Sequence, residues 1–150
     1  MRKTIMLGSF AVMVTLAGAA TAAEIEVKML NKSTAGVMVF EPSLIKVVPG
    51  DTVKFVATDK SHNAESISGM LPDGATAFKG KINQDVAVTF DKPGVYGVKC
   101  LPHYGMGMVA LVVVGEPTNQ DAAQAVVHPG RAKKVFADLF GQVPARTAAK

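Results

Sequence analysis

Nine consecutive residues carry three kinds of side chain that can bind a soft metal ion. They are Cys100-Leu101-Pro102-His103-Tyr104-Gly105-Met106-Gly107-Met108. This order spaces a thiol, an imidazole and a thioether as C-x2-H-x4-M. Thiolate and thioether sulfurs are soft ligands, and one Cys, two His and a weakly bound Met form the electron-transfer copper sites of proteins. The spacing therefore predicts a copper site that takes its second histidine from another part of the chain.

The second histidine has two candidates, because the chain contains three His in all. His62 lies in the polar turn Ser61-His62-Asn63 after a predicted strand, and such a loop can lie at the same end of a sandwich as Cys100. His128 stands between two predicted helices beside Pro129, which is typical of an exposed connector. His62 is therefore the predicted ligand.

Other interpretations of these residues remain open. A lone Cys is most often a small buried residue, a loop His is usually solvated, and Met108 would be an ordinary core residue. Zinc fits less well, because its closed sites take four Cys or His ligands without Met. A thiol enzyme built on Cys100 and His103 lacks an obvious orienting partner. A copper carrier or storage protein would need open, exchangeable ligands that are not confined to one loop.

The elements that must position these residues are predicted to be β-strands. Ile25, Val27 and Met29 alternate with charged residues, which is the period of a half-buried strand. Further strands are predicted at 36–41, 44–48, 52–57, 85–90, 95–100 and 108–115. Turn sequences such as Pro49-Gly50-Asp51 separate them. Short strands with turns between them favour an all-β Greek-key sandwich over residues 23–115.

After Gly115 the pattern becomes helical. Asn119 is predicted to cap a helix at 120–127, and Pro129 to open a second helix that Gly141 ends. The apolar stripe of the second helix consists of Ala132, Val135, Phe136, Leu139 and Phe140. Residues 116–150 are therefore predicted to form a two-helix hairpin packed on the sandwich.

Residues 1–22 have the pattern of a secretory signal peptide. Arg2 and Lys3 precede a mostly apolar run at 5–17, and Ala20-Thr21-Ala22 supplies a cleavage site. The run is shorter than the roughly 20 apolar residues that span a bilayer. The mature protein is predicted to be soluble, without membrane insertion, in the periplasm. Cysteines in oxidising compartments normally pair, so a lone Cys100 there indicates an intermolecular disulfide, a reactive thiol or a metal ligand.

Composition narrows the class of protein. Apolar residues make up 49% of the chain and charged residues 19%, which is ordinary for a globular domain. Paired carboxylates, a phosphate-binding glycine loop and nucleic-acid motifs are missing from the sequence, so we predict neither an enzyme nor a nucleic-acid-binding protein. The net charge is only +4. The basic residues of the predicted sandwich are all lysines: Lys28, Lys32, Lys46, Lys54, Lys60, Lys79, Lys81, Lys92 and Lys99.

Segments spread over nearly the whole mature chain resemble one protein family. They are residues 24–32, 38–42, 48–53, the pair His62-Asn63, and residues 94–100 running into 102–108. These segments are similar to the cupredoxins, the small blue copper proteins, and within that family to the pseudoazurins. The C-terminal helices distinguish pseudoazurins from plastocyanins, which share the ligand spacing but end with their last strand.

The resemblance implies one copper ion, with two imidazoles and a thiolate as strong ligands and a thioether as a weak axial ligand. These ligands would come from His62, His103, Cys100 and Met108. Asn63 would donate a backbone N–H to the Cys100 sulfur and hold the ligand loop through its side chain. The family commonly has Gly where this chain has Ser61, so the resemblance leaves the ligands unchanged but does not define the geometry of the turn before His62.

The same resemblance implies a one-electron carrier that cycles between Cu(II) and Cu(I). An apolar docking patch of Met38, Pro102 and Met106 would be ringed by Lys32, Lys60, Lys79 and Lys99. The lysines would steer the protein to acidic redox partners in weak, transient complexes. The implied partners are a copper nitrite reductase of denitrification, other periplasmic reductases and cytochromes. A transient docking surface favours a monomer.

Overall fold

The structure, a computed structural model, describes residues 21–144. Residues 1–20 of the predicted signal peptide and residues 145–150 of the predicted hairpin lie outside the described residues. Within residues 21–144 the chain forms eight strands. They are β1 (Glu24–Ser33), β2 (Gly36–Glu41), β3 (Leu44–Val47), β4 (Asp51–Val56), β5 (Glu65–Ser66), β6 (Val86–Phe90), β7 (Gly94–Lys99) and β8 (Val109–Val114).

The strands form two mixed four-stranded sheets, with orders β2-β1-β4-β6 and β3-β8-β7-β5. Strands β1 and β4 pair in parallel, as do β3 and β8, and the remaining pairs are antiparallel. The predicted all-β sandwich is confirmed. Strand β5 was not predicted, because two residues are too few to show an alternating pattern.

Strand β8 contributes side chains to two apolar clusters of the protein. The inner faces of the two sheets enclose one apolar cluster, to which Val112 belongs. A second cluster, which includes Leu111 and Phe136, lies between the second sheet and the C-terminal helices. All six residues of β8 are buried, because both faces of its sheet are covered. This explains why the strand is apolar throughout instead of alternating.

The C-terminal segment contains two helices, α1 (Gln120–Gln124) and α2 (Ala132–Phe140). Helix α2 ends at Gly141 as predicted, but it begins at Ala132 and not at Pro129. Helix α1 is shorter than the predicted 120–127. Asn119 stands at the predicted N-cap position of α1, but its side chain makes no capping hydrogen bond. Its side chain instead accepts the Val95 N–H at 2.7 Å and donates to the Val95 carbonyl at 2.9 Å, which fastens α1 to β7. In the part of the chain that the structure describes, helices of the length and apolarity that a membrane span requires are absent.

Asp51 makes the stability of the sandwich depend on pH. Its carboxylate accepts the N–H groups of Val48 and Ala23, and these bonds hold its pKa below the ordinary value. A carboxylate with a lowered pKa stabilises the fold above its unfolded pKa and loses this contribution as the pH falls through its folded pKa. We expect the free energy of unfolding to decrease below about pH 4. Urea unfolding across this range should show a weaker decrease in Asp51→Asn. Asp73→Asn, at an exposed position, is the control, and an equal flattening there would contradict the assignment.

Candidate metal centre

The hairpin of β7 and β8 places Cys100 beside Met108. Cys100 follows β7 and Met108 precedes β8, and the Cys100 N–H donates to the Met108 carbonyl at 3.0 Å. This bond extends the antiparallel register by one step beyond the Lys99–Val109 pair. Residues directly opposite each other in such a pair project to the same face of the sheet. Both side chains are fully buried in the cluster between the sheets.

Strand β5 brings His62 and Asn63 to the same place. It pairs with β7 through Glu65 opposite Lys99, so the preceding residues lie beside Cys100. The Asn63 side-chain oxygen accepts the N–H of Leu101 at 2.7 Å, and His62 is completely buried. Ser61, just before His62, has a φ of +74°, in the left-handed region that favours glycine.

A 3₁₀ segment, Leu101–Met106, carries His103. The His103 N–H donates to the Cys100 carbonyl at 3.2 Å, and the His103 carbonyl accepts the Met108 N–H at 3.2 Å. Gly107 ends the segment with a φ of +91°, a conformation that glycine adopts without strain. The segment therefore returns the chain to β8 with His103 above the end of the hairpin, half-buried.

Three donor atoms converge in this arrangement. The Nδ1 atoms of His62 and His103 are 3.1 Å apart, and the Cys100 Sγ lies 3.7 Å from the first and 3.5 Å from the second. Metal bonds to imidazole nitrogen and thiolate sulfur are about 2.0–2.3 Å long, so one ion can contact all three atoms. Within residues 21–144 no other group of three or more His, Cys, Asp or Glu lies close enough to hold an ion.

Asn31 fixes the proton of His62 on the opposite side of the ring. Its side-chain oxygen lies 2.9 Å from His62 Nε2, and an amide oxygen can only accept a hydrogen bond. Nε2 therefore carries the proton, which leaves the lone pair of Nδ1 directed at the other donors. Metal-binding histidines commonly donate their second N–H in this way. The role of Asn31 was not predicted, because nothing in its spacing links it to His62.

Burial favours the neutral forms of His62 and Cys100. It lowers the pKa of His62, and the charge of His103 lowers it further. Burial raises the pKa of the Cys100 thiol, against the opposing effect of the N–H groups of Asn63 and His103. A metal ion must therefore displace the thiol proton, since a coordinating thiol is deprotonated. A thiolate, two imidazoles and an adjacent thioether suit copper better than zinc.

A buried acidic group, Glu65, lies behind the donor atoms and was also missed. Its carboxylate accepts a hydrogen bond from Asn63 Nδ2 at 3.1 Å and lies 3.5 Å from Lys99 Nζ. The same Lys99 nitrogen stands 5.0 Å from the centre of the Tyr104 ring. Lys99 is therefore half-buried and occupied by internal contacts.

The other residues predicted to form a docking surface differ in their exposure to solvent. Lys32, Lys60 and Lys79 are exposed, as are Pro102 and Met106, whereas Met38 is half-buried. The prediction that His128 is an exposed connector is wrong. Its side chain is 9% exposed, lies against Phe136, and is bonded to the Tyr104 hydroxyl. The packing of α2 covers it, which its neighbours in the sequence could not indicate.

Comparison with known proteins identifies relatives over almost the full chain. Residues 27–115 match the family described as copper binding proteins, plastocyanin/azurin family. The chain is 48% identical to a pseudoazurin of Methylorubrum extorquens, over 95% of this chain and 97% of that one. It is 51% identical to a pseudoazurin of Paracoccus pantotrophus, over 89% and 92% of the two chains. The solved structure of a pseudoazurin from Sinorhizobium superposes with a TM-score of 0.80 at 48% identity, over 82% of this chain and 98% of that one.

The family match, the sandwich and the donor set agree on a cupredoxin, an electron-transfer protein with one type 1 copper and not an enzyme. The relatives identify the subfamily within this class, because they match both the sandwich and the C-terminal helical segment that follows it. The chain belongs to the pseudoazurins. The predictions of copper and of one-electron transfer are thereby confirmed.

Proposed function

We propose that His62, Cys100 and His103 are the strong ligands of the copper and that Met108 is its weak axial ligand. The observation that carries this assignment is the convergence of the three donor atoms, with His62 already in the tautomer that leaves Nδ1 free. Met108 is supported by its place opposite Cys100 on the same buried face. The weak thioether ligand is the usual means of tuning such a site.

The residues around the site keep the ligands in place while an electron moves. Bound copper supplies a one-electron couple between Cu(II) and Cu(I). Cys100 and His62 are fully buried and fixed by the pairing of β5, β7 and β8, which excludes water and limits rearrangement. Of the four proposed ligands, only His103 has an exposed edge. We therefore propose that electrons enter and leave at His103.

The absorption spectrum of the purified protein loaded with Cu(II) tests this function. An intense visible band from thiolate-to-copper charge transfer is expected, and its absence would refute the assignment. Repeated reduction and reoxidation in the presence of a chelator should leave the metal bound. A copper carrier or storage protein would lose copper in that assay, and a zinc site would give no colour.

A docking surface surrounds His103 in this proposal. Leu101 and Met106 are 50% and 44% exposed, and Pro102 lies between Leu101 and His103. Three exposed lysines lie close in the chain to residues of the site. Lys32 follows Asn31, Lys60 precedes Ser61, and Lys79 forms a backbone bridge with Glu65.

An apolar patch with cations around it suits weak, transient docking to acidic redox proteins. We propose a copper nitrite reductase of denitrification as the acceptor, with other periplasmic reductases and cytochromes as further partners. Lys99 contributes less to docking than the other three lysines, because it is paired internally. A surface that binds and releases partners quickly suits a monomer.

Steering by the lysines predicts a rate that depends on salt. Stopped-flow reduction of such an acceptor should slow about tenfold or more as ionic strength rises, because screening removes the attraction. Lys32→Gln and Lys60→Gln should lower the rate at low salt. Lys46→Gln is the matched control, since Lys46 pairs with Val113 at the far end of β8. A rate that stays constant or increases with salt would exclude attractive steering.

We further propose that the chain is exported to the periplasm and cleaved after Ala22. The Ala23 nitrogen lies 2.8 Å from the Asp51 carboxylate, so a new N-terminal ammonium would face a negative charge. Charge-assisted bonds of this kind are stronger than neutral ones. A mature protein that begins at Ala23 in the periplasmic fraction would support the proposal. An intact leader in the cytoplasm would contradict it.

A further inference from the structure

The 3₁₀ segment Leu101–Met106 has little internal structure to hold it in place. Its six residues form two short 3₁₀ turns that meet at a kink, and the hydrogen-bond geometry of such turns is poor. None of its residues is buried, and a φ of −117° at His103 interrupts the helical conformation. Contacts from outside the segment must therefore fix it. Asn63 provides such a contact at the Leu101 end.

His128 provides a side-chain contact to the part of the segment that follows His103 in the sequence. The Tyr104 hydroxyl and His128 Nδ1 are hydrogen-bonded at 2.6 Å. The His128 ring is itself held by α2, because its centre lies 4.3 Å from that of Phe136, which is 2% exposed. Burial lowers the pKa of His128, and the neutral imidazole keeps a nitrogen that can accept the bond.

The backbone before α2 contacts the same part of the segment. The Arg131 N–H donates to the Gly105 carbonyl at 2.9 Å. Gly130 has a φ of +51°, and a Cβ atom there would collide with the Gly105 carbonyl oxygen. The two backbones can approach this closely only because position 130 is glycine. His103 thus lies between two points at which the segment is hydrogen-bonded to the rest of the protein. One is Leu101, and the other is formed by Tyr104 and Gly105.

We propose that His128, together with the backbone of residues 130–131, is a positioning element for His103. It holds the 3₁₀ segment against the helical extension and so fixes the exposed ligand during electron transfer. The inference rests on the proposed assignment of His103 as a ligand. The helices that distinguish this chain from a bare sandwich then serve the copper site as well as covering the second sheet.

Amide hydrogen exchange and reduction potential test this role in the full-length protein. Tyr104→Phe removes only the hydroxyl, and His128→Leu replaces the imidazole with an apolar side chain that cannot bond that hydroxyl. In metal-free protein each should speed exchange of the Gly107 and Met108 amides about fivefold, which is the effect of one lost hydrogen bond. The Leu101 amide, held by Asn63, should keep its protection. In copper protein both variants should shift the potential in the same direction, without additivity in the double variant.

Two further variants separate positioning from general stability. His128→Asn retains an acceptor and should restore both readouts. Tyr96→Phe is the matched control, because the Tyr96 hydroxyl donates to the Lys92 carbonyl at 2.7 Å, at the other end of β7. It should change neither the exchange of the segment nor the potential. Equal effects from Tyr96→Phe, additive effects of the Tyr104 and His128 variants, or unchanged exchange would overturn the proposal. The metal-free measurement stands even if the ligand assignment fails, and the wild-type copper spectrum tests that assignment separately.

Discussion

Replacing Cys100 with serine is expected to abolish the intense visible band of the copper protein. The band requires a bond between copper and a thiolate, and a serine hydroxyl cannot supply that anion. Binding of Cu(II) should weaken by more than the roughly 10- to 100-fold that loss of an outer hydrogen bond costs. The substitution replaces one sulfur atom by oxygen at a fully buried position, so the protein should still fold. Absorption spectroscopy and copper titration of the variant measure both effects.

Met108→Leu is the matched comparison for that variant. It removes the proposed weak ligand at the position opposite Cys100, while the thiolate and both imidazoles remain. The coloured site should persist with a shifted reduction potential, because the axial ligand tunes such sites. A coloured Cys100→Ser protein would contradict the assignment of the thiolate. Loss of colour in Met108→Leu with the fold intact would contradict the weak axial role.

The sequence predicts the fold, and it also predicts that Cys100 and His103 lie together, because these signals are local. Cys100, His103 and Met108 lie at the end of a single hairpin, so their spacing alone shows that they can converge. The strands are short and separated by turn residues, and the six strands for which residue ranges are predicted begin and end within one residue of those ranges. The apolar run in β8 is explained once the C-terminal helices are placed on the outer face of its sheet, because both faces of the strand are then buried.

The residues that support the site could not be predicted in the same way. Asn31 reaches His62 from β1, and that contact depends on the packing of segments far apart in the sequence. Glu65 lies in a two-residue strand, too short for any periodic signal. His128 has Pro and Gly as neighbours, a pattern typical of exposed turns, and only the packing of Phe136 buries it. Interactions set by tertiary packing leave no local pattern.

Asn63 is expected to support the fold and the copper site together. Its side chain is 2% exposed, accepts the Leu101 N–H, and donates to Glu65 and to the Gly80 carbonyl at 3.1 Å each. Asn63→Ala would leave buried polar groups without these partners, and such groups cost about 1–3 kcal/mol each. We expect the free energy of unfolding to fall by about 3 kcal/mol, measured by urea denaturation. The reduction potential and the visible spectrum should change as well.

Asn119→Ala provides the control that separates the two effects of Asn63. Asn119 also bonds backbone through both its amide atoms, but at Val95, near the start of β7 and remote from Cys100. Its loss should cost about 1–2 kcal/mol and leave the copper spectrum and potential unchanged. If Asn63→Ala destabilised the protein without altering either copper property, Asn63 would be a structural residue only. A spectral change in both variants would instead show that the site responds to any loss of stability, because Asn119 bonds β7 at Val95, away from the donor atoms.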